Sequence, residues 1–559
     1  TCGLAHLDVV RQRRFDAPVF ATFISCHVLR GGTLPPDLAA DLEALAARAE
    51  ACGLGELALE LRETMAYILQ CTTNSAYQSV LTRTRQAGLL GPAEHKDIER
   101  RLAVATCDRR GGVCAFNGTG NSSRHAVSAL GLGHPATELL TEPPGAERIA
   151  RVVDDLFTFV NRPDYSVSQM VRANFANAVR VHSATGGSTN LMLHLVATQL
   201  YAGAQADIWA MDAIRRNPPV PDIFDYSLTQ GRDIFALAQQ CTAGLIRGIE
   251  TVFYELLQQG IPMDLDAPTA TGSTWRERLA DTAHLSATGV QDNPIILHRP
   301  RRPTSGVEVL RSNFFESAVV KISGMPEAQI AHFDGQVALV LFFENEDEAN
   351  AGLLDPQVLE RIGRAPALTR TLLLRLASHN RRPDGPALDE LQALDGRALF
   401  ERLVERELLK VLVVISGQGP KAFGMPEMYT PMQHINANRR LRRLAMLLSD
   451  GRYSGVTYGA AIGHVTPEAF DGGAIGLLET GDLVHVQLRA GRLDLLDPQA
   501  FEAGELQPWG ADLRVLRRGL ARARRRRMLQ RLQKIAAPNR LRDVTDASRG
   551  VVPRAVLRP

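Results

Sequence analysis

Lysine is nearly missing from this 559-residue sequence: Lys96, Lys321, Lys410, Lys421 and Lys534 are the only five among 63 basic residues. The remainder are arginine, a skew that reads as genomic base-composition bias and not as function. An excess of either charge is missing too. With 61 acidic residues the formal charge is +2, so bulk charge draws the protein neither to nucleic acid nor to an anionic membrane. No run approaches the ~18 consecutive apolar residues of a membrane-spanning helix, and the N-terminus lacks the charged, apolar and small-residue order of a secretory signal. A cytoplasmic enzyme without a membrane partner is therefore expected. C-x-x-C spacing is absent, which leaves a zinc knuckle without support. The chain opens on Thr1 and not on Met, as a processed chain or one beginning inside a longer protein would.

What is present is an ordinary globular composition, 45% hydrophobic and 22% charged, which excludes disorder or fibre as a global description. Such a length makes about three to four domain-sized units, and large α/β folds merge them, so two large domains are expected. Six of the seven cysteines, Cys2, Cys26, Cys52, Cys71, Cys107 and Cys114, crowd the N-terminal end, with Cys241 apart. In a reducing compartment such crowding points to metal or redox chemistry before disulfides, although burial as a small apolar group fits any single thiol.

Residues 36–70 read as helix, with Leu42, Leu45, Ala46 and Ala49 at i, i+3, i+4 and i+7, interrupted by Gly53 and Gly55. From Arg101 to Gly120 the texture is that of a loop, Gly111-Gly112 before Cys114 and Gly118-Thr119-Gly120-Asn121 after it, delivering one cysteine beside a helix start. A similar device recurs at Thr185 to Asn190. There Gly186 and Gly187 permit close backbone approach, Ser188 or Thr189 caps the helix that follows, and free N–H groups favour an anion such as a carboxylate or phosphate. A plain capped helix after a tight turn is the competing reading.

From about residue 305 short apolar runs bounded by Gly, Pro or Asp predict strands: Ala318–Ile322, Gln336–Phe343, Leu409–Ile415, Leu444–Leu448 and Asp482–Leu488. The stretch from about 345 to 408 is instead helical and charged, and is expected as an insertion on the domain surface. Two loops follow predicted strands. In Gly419 to Met428 the carboxylate of Glu427 is fixed among Gly and Pro residues, as a ligand for a hard cation such as Mg²⁺ would be. In Ser449 to Gly455, Ser454 sits on a tight loop. Taken singly, each also fits a surface turn.

With these residues on the page, the sequence resembles the dihydroxy-acid dehydratase and phosphogluconate dehydratase family. The matching blocks are Cys114–Asn121 (CAFNGTGN), Ala184–Ala197 (ATGGSTNLMLHLVA), Asp292–Ile295 (DNPI), Val319–Gly324 (VVKISG), Gly419–Met428 (GPKAFGMPEM), Ser449–Gly455 (SDGRYSG) and Gly463–Gly473 (GHVTPEAFDGG), with an echo at Ala547–Val551. They stand in family order over about residues 100 to 550. The resemblance implies a hydro-lyase that takes water from a 2,3-dihydroxy carboxylic acid and leaves a 2-keto acid. It implies an iron–sulfur cluster, 2Fe–2S or 4Fe–4S, that takes up the leaving hydroxyl, and Mg²⁺ that anchors the carboxylate. It maps the catalytic base onto Ser454, metal ligands onto Cys114, Cys2 and Glu427, and substrate contacts onto Gly187, Ser188 and Thr189.

The departures are as specific. The family carries a Cys-Asp-Lys, but here Gly3 and Leu4 follow Cys2, and Cys107-Asp108 lies seven residues before Cys114 at no family position. Either N-terminal sequence is missing or remodelled, or the chain is a divergent relative that binds a sugar acid or similar anion without a cluster and without catalysis. CAFNGTGN and HVTPEA lean toward sugar acids of the phosphogluconate type, GMPEMYTP and IGH toward branched-chain dihydroxy acids, with the sugar acid first.

The expected architecture is α/β: an α/β domain over residues 1–300, a β-rich, barrel-like domain over 301–505 carrying the helical insertion, and a basic helix and tail over 506–559. Arg514, Arg517, Arg518, Arg522 and the arginines up to Arg531 crowd that helix. It is expected to pack Leu516, Leu520, Met528 and Leu532 against the body in preference to tracking nucleic acid. Cys114, the Gly186-Gly187 helix start, Glu427 and Ser454 are expected to converge on one cleft. The resemblance also implies a homodimer.

Overall fold

The computed structural model of the protein describes residues 30–31, 34–66, 69, 71–108, 113–227, 230–285, 287, 292–304, 306–322, 325–381, 388–453, 458–534 and 543–557. Cys2 and Ser454 lie outside them. Up to residue 300 the described chain is helical, apart from β1 (Arg30–Gly31), which pairs antiparallel with β2 (Cys107–Asp108). The helix expected over 36–70 forms as two, α1 (Pro36–Ala51) and α2 (Gly55–Met65). Gly53, at φ 77°, supplies the left-handed turn between them. Leu38, Leu42, Leu45 and Ala49 line the buried face of α1 at helical spacing and join Tyr77 and Val80 of α3 (Cys71–Gln86) in one apolar cluster. A larger core gathers around α4 (Thr119–Ala129), α5 (Val167–Ala184) and α6 (Asn190–Tyr201), where Ala126, Ala129, Ala178 and Ala184 provide small faces for packing. No helix among the described residues is long and apolar enough to cross a membrane.

Strand structure gathers beyond residue 306, which bears out the α/β class of the chain as a whole. The strands are β3 (Val307–Leu310), β4 (Ser317–Lys321), β5 (Val337–Phe343), β6 (Lys410–Ile415), β7 (Ala445–Ser449), β8 (Ala461–Thr466), β9 (Leu483–Gln487) and β10 (Arg492–Leu495), in sheet order β10-β9-β5-β6-β7-β8-β4-β3. The run β5-β6-β7-β8 is parallel. Arg311 pairs with Arg492 across the two outer strands, so the sheet nearly closes into a barrel. Both faces are buried, which is why the strands read as continuous apolar runs. Period two still sorts them. Val340 and Phe342, Leu412 and Val414, and Met446 and Leu448 join the interior cluster to which all eight strands contribute, whereas Leu339, Leu341, Val411 and Val413 face outward onto helices.

The 345–408 segment is not a surface insertion but the connection between the parallel neighbours β5 and β6, which no hairpin can join. Its Leu353, Leu372, Leu376, Leu399 and Leu403 are buried against the outward face of the sheet, at helical spacings that put them on common stripes despite the intervening charges.

The C-terminal helix α7 (Arg518–Leu532) meets expectation in part, with Leu520 and Met528 half-buried against the body. Leu532 is buried, but Leu516, just before the helix, is 57% exposed, and much of the attachment is made by guanidinium groups. Arg524 donates to the carbonyls of Gly476 and Leu478 at 2.9 and 2.7 Å and stacks on Phe342 at 3.7 Å. Arg525 donates to Phe470 O at 2.6 Å. Arginine here adds to the packing that Leu520, Met528 and Leu532 were expected to make.

Candidate active site

Four chain segments meet where the helical half joins the barrel. The first is the Cys114 loop. Val113 N–H donates to Leu140 O at 2.9 Å, and Asn121 Nδ2 reaches back to the carbonyls of Cys114 and Phe116 at 2.7 and 2.8 Å, so the loop is tied to the start of α4. Gly118 is required by close approach, since a β-carbon there would stand 2.4 Å from the Phe116 ring. Cys114 is half-buried. Arg124 on α4 is electrostatically coupled to its sulfur; burial lowers the pKa of this guanidinium and Cys114 raises it. A cation so placed favours a thiolate.

The second segment is the start of α6. A β-carbon on Gly187 would lie 2.3 Å from the His182 ring, so this glycine makes room for a histidine and not for a ligand. His182 Nε2 bonds Ser188 O at 2.9 Å, and burial pushes its pKa down to about 4. Four of the N–H groups at this helix start donate within the protein: Ser188 to Ser122 Oγ at 2.9 Å, Asn190 to Ser188 Oγ at 3.3 Å, Leu191 to Ser188 O and Met192 to Thr189 O at 3.0 Å. Thr189 makes no cap; its hydroxyl donates to Tyr453 O. Gly187, Ser188 and Thr189 thus serve as a junction between the halves of the molecule.

The third and fourth segments leave the carboxyl ends of β6 and β7. Asp450, fully enclosed, accepts the N–H groups of Gly417, Gln418 and Ala469 at 3.2, 2.8 and 2.9 Å. Glu468 accepts those of Lys421 and Ala422 at 2.9 and 3.2 Å. These two carboxylates fix the loop ahead of Glu427. Met425 stands at φ 57°, a strained state for a residue with a β-carbon, and Arg452 Nε donates to its carbonyl at 2.6 Å. Met428 N–H to Arg452 O at 2.7 Å and Arg452 N–H to Pro426 O at 2.9 Å pair the two loops on either side of Glu427.

Asn190 links the first three. Its Nδ2 donates to Glu427 Oε1 and to Thr119 Oγ1, the latter at 2.8 Å, and Thr119 Oγ1 lies 2.9 Å from Ser188 Oγ. His464 Nε2 lies 3.4 Å from Asn190 Oδ1, which accepts. Burial, then Arg452, then His194 push His464 down to about 3, and burial likewise takes His194 to about 3, so both rings are neutral. Glu427 Oε2 is enclosed and has no hydrogen-bond partner among the described residues.

Residues 64–278 match the dihydroxy-acid/6-phosphogluconate dehydratase N-terminal family, and residues 392–538 match its C-terminal counterpart. The chain belongs to this dehydratase family. It is 29% identical over 393 residues to dihydroxy-acid dehydratase 2 of Acinetobacter baylyi, which covers 69% of this chain and 57% of the relative. To the dihydroxy-acid dehydratases of two strains of Thermus thermophilus it is 28% and 29% identical over 422 residues, 74% of this chain and 62% of each relative. The chain spans about three-fifths of the length of these curated relatives.

The dehydratase blocks at 114–121, 184–197, 419–428 and 449–453 therefore meet in space as well as in order. An enclosed carboxylate oxygen without a donor is costly unless something positive meets it, so Glu427 fits a Mg²⁺ ligand. The described residues do not fit an iron–sulfur cluster: they bring one thiol, Cys114, to this place where such clusters take several, and no group of three His, Cys, Asp or Glu is poised to hold a metal ion among them. The sequence reading passed over Asn190, His194 and His464, all inside quoted blocks. A histidine within the apolar run Leu191–Val196 was the available signal. It also passed over Lys321, which burial pushes down to about 8 and whose Nζ donates to Asn117 O at 3.4 Å.

Proposed function

We propose that this dehydratase-family chain is a hydro-lyase that converts a 2,3-dihydroxy carboxylic acid to a 2-keto acid, with a sugar acid of the phosphogluconate type as first substrate and a branched-chain dihydroxy acid as second. The observation that carries it is Glu427 Oε2, unmet among the described residues, at the meeting point of four family blocks. Glu427 would hold Mg²⁺, whose charge draws in the substrate carboxylate and stabilises the negative charge that develops as C2 loses its proton. Asn190 engages the other oxygen of Glu427 and fixes the carboxylate, while His464 orients the Asn190 amide. The neutral rings of His194 and His464 bring no competing cation to the site. Ser454 follows Tyr453, whose carbonyl is held by Thr189, and is the base proposed to take the C2 proton. A serine hydroxyl is a poor base at its ordinary pKa, so this role requires nearby positive charge.

Cys114, with Cys2, is proposed to ligate an iron–sulfur cluster; no step is derived through it. That the described residues bring one thiol to the site favours a second reading, a cluster-free relative that binds a sugar acid or similar anion without catalysis. Iron and acid-labile sulfide measured on anaerobically prepared protein separate the two. In the enzyme reading both are present, Cys114→Ala removes them with the activity, and Ser454→Ala keeps them while abolishing turnover. Protein that stays free of iron after anaerobic reconstitution yet binds a sugar acid contradicts the hydro-lyase. The assembly is proposed as a homodimer, against which a monomer by light scattering at all working concentrations would count.

A further inference from the structure

A cavity of about 260 Å³ lies between α7 and the barrel, walled by Phe342 and Glu344 at the carboxyl end of β5 and Ser416 at that of β6. The carboxyl ends of parallel strands are where α/β folds form ligand crevices. Six wall residues are arginines, Arg514, Arg522, Arg524, Arg525, Arg527 and Arg531, and one is acidic, Glu344. That carboxylate is already shared by Arg527, at 2.7 Å, and Arg524, at 3.6 Å. The side chains of Arg514 and Arg522, both exposed residues, meet no carboxylate among the described residues. Burial pushes Arg524 down to about 10, against the pull of Glu344, and Arg527 and Arg517 add to the lowering.

We propose that this cavity is an effector site for a small phosphate-type polyanion, separate from Glu427. Guanidinium forks grip phosphate oxygens in pairs, so a surplus of arginine around one cavity recognises phosphate better than it recognises a single carboxylate. Pockets for drug-sized ligands run from about 300 Å³ upward, so the volume suits a compact anion and not a nucleotide. The site also touches the loops of the first. Ser416 precedes Gly417, whose N–H, with that of the wall residue Ala469, is held by Asp450, two residues before Arg452. An occupant would stiffen this junction.

Inorganic pyrophosphate is the probe, titrated calorimetrically into the full chain at low ionic strength. The expected result is saturable one-site binding, with a melting temperature that rises with ligand concentration. The double variant Arg514→Ala/Arg522→Ala should bind about tenfold or more weakly, Arg522→Lys should fall between, and Arg526→Ala, on the same helix but outside the cavity wall, should bind as the parent does. No saturable heat, equal binding by the double variant, or an oligonucleotide held by these arginines that pyrophosphate fails to displace would each overturn the proposal.

Discussion

Glu344 and Glu427 stand in opposite company. Glu344 follows β5 directly and is met by Arg524 and Arg527, with four more arginines in the wall around it. Glu427, beyond β6, receives one amide from Asn190, which His464, held neutral by burial, touches in turn, and its Oε2 is unmet among the described residues. One cluster has cations to spare, whereas in the other the neighbouring cation, Arg452, has its Nε committed to Met425 O. Burial raises the cost of leaving Glu427 Oε2 unpaired and so names a cation there, whereas beside α7 the imbalance is one of number, six arginines to one carboxylate, and names an anion.

The largest effect is expected where the missing cation is most exposed to test. Glu427→Gln should weaken Mg²⁺ binding, measured by calorimetry, at least about a hundredfold, since even partners behind a metal ligand are worth ten- to a hundredfold. An unchanged affinity would break the comparison. Next, Asn190→Ala removes such a partner and should cost about tenfold or more in the same titration, while Mg²⁺ still binds. On the cationic side, Arg524→Ala should destabilise the protein by about 2 kcal/mol in denaturant titration, because the carbonyls of Gly476 and Leu478 lose their donor and Phe342 loses its cover. Equal stability would mean that α7 is held by its apolar residues after all.

The smallest effect concerns pH. Burial, and then the nearby Asp450, push Glu468 up to about 8, above its ordinary 4.5. A carboxyl raised in the folded state binds more protons folded than unfolded, so its contribution is full below pH 4.5 and fades as pH rises through about 8. Glu468→Gln should flatten the fall in melting temperature between these limits. If the fall persists unchanged, Asp450, also raised by burial, is the group responsible.

Five of the eight barrel strands were legible, because burial on both faces leaves short apolar runs with Gly, Pro or Asp at their ends, while β3, β8 and β10 were not. Val337–Phe343 and Lys410–Ile415 lie within a residue or so of where those runs place them. The crossover helices were misjudged because Leu372, Leu376 and Leu403 are diluted by charged neighbours, and only the sheet shows that they share one side. Cys114 and Glu427 were legible as motif residues, but the role of the Ser188 start was not: its N–H donates to Ser122 Oγ, 66 positions away. The bond between His464 and Asn190 spans 274 positions, and no local pattern announces it. Leu516 was misassigned because nothing in composition tells a solvated arginine from one that packs its stem and donates to carbonyls.

The most direct test of the central claim is 2-keto acid formation. The full chain, reconstituted anaerobically with iron, sulfide and Mg²⁺, is given a sugar acid of the phosphogluconate type and, separately, a branched-chain 2,3-dihydroxy acid. The predicted result is keto acid from at least one of them, falling by about a thousandfold in folded Glu427→Gln, the scale of losing one charge-stabilising group at a reacting centre. No keto acid from either substrate, or equal yield from the parent and Glu427→Gln, would contradict a dehydratase site built around Glu427.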